Sequence, residues 1–204
     1  MGFGSLASLL AITFELIVTM RRFCDPAVNL CDPMFQGLYH GKQAHEGDMS
    51  MILSRAESVG VKKIIITGTS TEESIKALQL AEKLTAELCG REDPVQIYCT
   101  AGVHPTSCKE YESGLAEVET KLLDTIASGR TSGRLVAIGE AGLDYDRLQF
   151  CDASLQAAGF QHQIDLADRL NLPMFMHNRN TGEDFLRIVR DRRSRFTAKL
   201  SYFT

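Results

Sequence analysis

The chain has 204 residues, 44% hydrophobic and 24% charged, with a formal net charge of -4 and a pI near 5.7. That length is enough for one domain with a sizeable core. The acidic balance excludes a broadly basic glove for nucleic acid, although bound divalent cations reverse the local field at a nuclease site. Six cysteines at irregular gaps, none forming CxxC, exclude a zinc knuckle or disulfide scaffold. They read as scattered thiols in a reducing compartment, cytoplasmic and/or nuclear.

Residues 1–23 are an atypical apolar leader, interrupted by Glu15 and followed by Arg21 and Arg22. A signal peptide carries its positive charge before the apolar run, not after it. A membrane span would bury Glu15 in lipid at a cost of about 2.5–3.5 kcal/mol on insertion scales. The leader is therefore read as a helix packed on the domain or as an appendage, and no stable membrane association is expected.

From residue 24 onward, short apolar runs alternate with helical patterns. A weak strand over 25–30 is followed by a helix over 48–59, closed by Gly60. A strand over 62–68 leads to a capped helix over 71–88, opening on Thr71-Glu72-Glu73-Ser74. Further strands are expected over 95–103, over 135–139 and from Pro173 to His177, with helices over 115–127, 154–170 and 182–193. Apolar strands of this kind belong to a parallel sheet covered on both faces, so the fold class is α/β. A doubly wound open sheet and a (β/α)8 barrel compete. The length favours the former. Polar residues after four different strands favour the latter, because an open sheet gathers its ligands at one switch point.

Those polar residues are the candidates for chemistry. Glu140 sits in Gly139-Glu140-Ala141-Gly142-Leu143-Asp144, where small neighbours permit close approach. His177 ends the apolar run Met174-Phe175-Met176. A carboxylate and an imidazole from successive strand ends suit Mg, Mn or Zn, so Glu140 and His177 are the expected metal ligands. His104, pinned before Pro105, can meet a phosphate or serve as a general acid. Asp144, placed in a loop, can orient a water or a ligand histidine. Arg179 can grip a phosphate bidentately, and Asn29 can bind substrate through its amide.

Five ordered motifs now resemble one family: Asn29-Leu30-Cys31-Asp32-Pro33-Met34-Phe35-Gln36-Gly37, Ile66-Thr67-Gly68-Thr69, Ala101-Gly102-Val103-His104-Pro105, the Glu140 string, and Phe175-Met176-His177-Asn178-Arg179. The chain resembles the TatD-type deoxyribonucleases, within the metal-dependent hydrolase superfamily, and is similar to their eukaryotic branch. The resemblance implies a TIM-type barrel with two divalent metals, Mg or else Mn or Zn, at its C-terminal mouth. It implies that Glu140 bridges the metals, that His177 binds one, and that His104 and Arg179 steady phosphate charge. It implies hydrolysis of DNA phosphodiesters, exonucleolytically from ends. Many relatives carry His-x-His at the first strand, where this chain has Ala27 and Asn29. The histidine and aspartate motifs of the family's last three strands do not appear. The expectation is therefore an incomplete (β/α)8 barrel of about five parallel strands over 24–195, with a divergent tail over 196–204. Its activity is expected to be impaired; the alternative is an inactive binding or regulatory fragment.

Overall fold

The structure, a computed structural model, describes residues 22–192 and the backbone of 200–202. The expected leader thus lies outside the described residues except for Arg22 and Phe23, and the tail except for one short strand. Strand β1 (Phe23–Val28) opens the domain, and a small hairpin, β2 (Leu38–Tyr39) and β3 (Lys42–Gln43), follows it. Then come α1 (Met49–Ser58), β4 (Val61–Ile66), α2 (Thr71–Glu87), β5 (Gln96–Ala101) and α3 (Leu115–Thr131). The series continues with β6 (Leu135–Asp144), α4 (Ala153–Leu170), β7 (Met174–Arg179), α5 (Asp184–Arg192) and β8 (Leu200–Tyr202).

Local chemistry sets these boundaries. The Ser70 hydroxyl accepts the Glu73 N–H at the start of α2, and the Asp152 carboxylate accepts the Leu155 N–H at the start of α4. Asn171, at φ 51°, ends α4 in the left-handed conformation that asparagine tolerates. The run of isoleucines in β4 suits a strand buried on both faces.

The order of the main sheet decides between the two architectures. Its strands run β1-β4-β5-β6-β7-β8, every pair parallel, with a helix in each crossover from β1 to β7. Each strand is added on the same side of its predecessor. A doubly wound sheet needs a point where that order reverses, and this sheet has none. The five longer strands curl into a half-barrel with their C-terminal ends at one mouth. The core between sheet and helices is built from residues such as Ile66, Ile97, Leu122, Ile138, Phe160 and Ile164. Among the described residues no helix is long and apolar enough to cross a membrane.

One expectation needs correction. Asp144 is not in a loop: β6 runs on to it, five residues beyond Gly139. The strand bulges between Ile138 and Ala141, then resumes its ladder with β7 from Ala141↔Met176 to Asp144↔Arg179. The Gly-Glu-Ala-Gly string hides this continuation, because its glycines imitate the end of a strand.

Candidate metal centre

The mouth is assembled by backbone contacts between strand ends. The Glu140 N–H donates to the Gly68 carbonyl at 2.9 Å, and the His104 N–H to the Thr69 carbonyl at 2.9 Å. Two glycines let β6 approach β7 there. A Cβ on Gly139 (φ 138°) would fall 2.1 Å from the Phe175 carbonyl oxygen, and one on Gly142 (φ 155°) 1.8 Å from that of His177. No other residue fits either position.

On this frame the His177 imidazole stands between two carboxylates. Its Nδ1 lies 2.9 Å from Glu140 Oε1 and its Nε2 lies 3.2 Å from Asp144 Oδ2. A neutral ring carries one proton, so satisfying both contacts takes a second proton or a cation. The His104 ring meets that of His177 edge-on, with centroids 4.6 Å apart. One ligand atom each from His104, Asp144 and His177 lies within 4.8 Å of the others. Asp144 and His104 are buried, while the side chains of His177 and Glu140 are about one-fifth exposed. Two imidazoles and two carboxylates at the edge of a dry core form a donor set that fits a divalent cation.

The surroundings fix the charges. Burial holds the His104 pKa down at about 4, against the pull of Glu140, so its ring is neutral at pH 7. Thr106 engages Nδ1 of that ring through its hydroxyl at 2.7 Å and its N–H at 3.2 Å. The hydroxyl can accept a proton on Nδ1, or the N–H can donate to a bare one. Nε2 is left for the cluster. For Glu140, burial pushes the pKa up, but the bond to His177 and the nearby imidazoles and Arg147 outweigh it, and the carboxyl stays below its usual range.

The sequence candidates do not all converge. Glu140 and His177 meet, and His104 and Asp144 join them. Arg179 stands at the same mouth but is exposed, its Nε donating to Asp146 Oδ2 at 2.8 Å. Asn29 follows β1 at the mouth and is exposed, with its carbonyl accepting the Asp32 N–H in a turn. Three neighbours escaped the sequence reading: Thr106, Arg147 and Gln156. Arg147 places a guanidinium nitrogen 3.6 Å from Asp144 Oδ2 while remaining partly exposed. Its spacing of three residues from Asp144 gave a faint signal.

Comparison with known proteins is decisive at this point. The model for "TatD related DNase" matches residues 25–201. The chain belongs to the TatD-related DNase family. A Schizosaccharomyces pombe relative, "Deoxyribonuclease Tat-D", is 38% identical over 178 residues, which cover 86% of this chain and 54% of the relative. The Erwinia tasmaniensis "3'-5' ssDNA/RNA exonuclease TatD" is 37% identical over 143 residues, 70% of this chain and 49% of the relative. Among solved structures, an Entamoeba histolytica hydrolase of the TatD family superposes with a TM-score of 0.71 at 32% identity, covering 84% of this chain and 54% of that one. An uncharacterised Saccharomyces cerevisiae amidohydrolase also gives 0.71, at 31% identity, with coverages of 84% and 51%. This TatD-family chain therefore spans about half the length of the curated relatives it matches.

Proposed function

We propose that this chain is a divalent-metal-dependent hydrolase of DNA phosphodiesters, acting as an exonuclease at strand ends. The observation that carries this reading is His177 held between Glu140 and Asp144, with His104 against its edge, at the mouth of a TatD-type half-barrel. The names of the relatives, a deoxyribonuclease and an exonuclease on single-stranded DNA and RNA, support the choice of substrate.

Glu140, His177 and Asp144 would hold the cation, two Mg ions in the fullest version of the site, with His104 beside them. When bound, a divalent cation supplies Lewis acidity toward a phosphate oxygen and toward water. The protein does the rest. With a cation bound, one ring nitrogen of His177 would take it, and the carboxylate at the other nitrogen, Glu140 at Nδ1 or Asp144 at Nε2, would hold the ring in orientation. Neutral His104 offers Nε2 without adding positive charge. Arg147 and Arg179 flank the mouth, where they can meet the phosphates of an incoming strand. The free cysteines support a reducing compartment, cytoplasm or nucleus.

The test is release of nucleotides from end-labelled DNA by the purified 204-residue chain with Mg or Mn. Hydrolysis should vanish with chelator and in Glu140→Ala and His177→Ala. Release no greater than that of Glu140→Ala would overturn the proposal.

A further inference from the structure

Two polar side chains interrupt the apolar face of α4. Gln156 and Gln163 are both 0% exposed. They stand seven residues apart, nearly two turns of about 3.6 residues, and so share one face of the helix. Each makes the same pair of bonds. Gln156 Oε1 accepts the Asp144 N–H at 2.8 Å, and Nε2 donates to the Asp144 carbonyl at 3.0 Å and that of Cys151 at 2.9 Å. Gln163 Oε1 accepts the Val103 N–H at 2.8 Å, and Nε2 donates to the Val103 carbonyl at 2.9 Å.

A carboxamide that presents an acceptor and a donor side by side imitates the peptide of a neighbouring strand. The ladder explains why one is needed. β5 and β6 pair only as far as Ala101↔Ile138, yet β6 runs on to Asp144 and the β5 chain runs on to His104. Val103 and Asp144 thus have amide and carbonyl groups that no strand on that side satisfies. They are buried, so each group left unpaired would be costly.

We infer that Gln156 and Gln163 are positioning residues, two amide clamps that aim Asp144 and His104 into the metal centre. The inference rests on the proposed metal site. Gln156 grips both backbone groups of the residue whose carboxylate lies 3.2 Å from His177 Nε2, so rotation of that peptide moves the carboxylate off the imidazole. Gln163 grips the residue immediately before His104, whose own N–H is fixed by Thr69. One rigid helix therefore sets the separation of two groups carried by different strands.

The test compares Gln156→Met and Gln163→Met, close in size but lacking the amide, with Leu166→Ala, another fully buried change on α4. Mn²⁺ affinity, kcat and KM, and the NMR signals of the imidazoles are read in the full chain, with exposed His40 and His45 as references. Gln156→Met should weaken Mn²⁺ binding by about 10- to 100-fold, as loss of a ligand's supporting hydrogen bond does. It should lower kcat more than it raises KM, and should shift the His177 signal. Gln163→Met should shift that of His104. Leu166→Ala should lose stability alone. If the unaltered chain binds Mn²⁺ but cleaves nothing, the nuclease reading fails while affinity and ring signals still decide the clamps. If it binds no Mn²⁺, the ring signals decide them. Methionine variants that lose only stability, with affinity and rings indistinguishable from Leu166→Ala, would overturn the inference.

Discussion

Gly142→Ala tests whether the close approach of β6 and β7 builds the site. A Cβ there would sit 1.8 Å from the His177 carbonyl oxygen and 2.8 Å from its carbonyl carbon, both backbone atoms. Real contacts of this kind stay beyond 3.0 Å, so the strands must part by more than about 1 Å. Overpacking of this size costs about 1–3 kcal/mol, and holding a non-glycine residue near φ 155° adds about 1–3 kcal/mol. The expected loss is thus about 2–6 kcal/mol. The same displacement carries His177 away from Glu140, and their 2.9 Å contact stretches beyond hydrogen-bonding range. Urea denaturation in chelator reads the stability, and isothermal titration with Mn²⁺ reads the site. Gly133→Ala is the control. Its φ is 69° with nothing within 4 Å of the added carbon, so it carries the backbone strain alone. Equal losses in the two variants, with equal Mn²⁺ affinity, would refute the reasoning.

Arg147→Met and Arg179→Met should each weaken binding of single-stranded DNA and reduce the slope of log K against log[salt] by about 0.7, as for one lost phosphate contact; an unchanged slope in fluorescence titration would remove that arginine from the substrate path. Mn²⁺ at about 100 times its dissociation constant should raise unfolding stability by about 2.7 kcal/mol. The gain should disappear in His177→Ala, and its persistence there would place the ion elsewhere. Away from the site, the bond to His162 and the pairing with Arg169 hold the Glu119 carboxyl below its usual range. A carboxyl that binds protons less readily folded than unfolded contributes stability above the ordinary carboxylate range and loses it as pH falls through the folded value. Glu119→Gln should therefore be less stable than the unaltered chain at pH 7, and the difference should close on acidification. A gap that stayed constant to about pH 3 would contradict the assignment.

The amino-acid order alone carried the α/β alternation, most of the helix limits and the placing of Glu140, His104 and His177 toward the C-terminal side of their strands, although Glu140 lies within β6 and α3 runs on to Thr131. These follow from local causes: apolar runs, caps such as Ser70 and Asp152, and breaks such as Gly60 and Asn171. Glycine is ambiguous in that reading. At Gly60 it closes a helix, whereas at Gly139 and Gly142 it marks a strand pressed against its neighbour, and for that reason the sequence alone places the end of β6 five residues short of Asp144. Apolar runs and spacing leave barrel and open sheet both open; the motif resemblance implies the barrel, and the strand order bears it out, because that order depends on which side each crossover takes. Only the tertiary structure decided that Asp144 is buried against His177 and that Gln156 and Gln163 reach across from α4. Contacts between residues far apart in the chain leave no periodic trace in it. A buried glutamine on an otherwise apolar helix face is legible as an exception, but its partner is fixed only when the strand beside it ends.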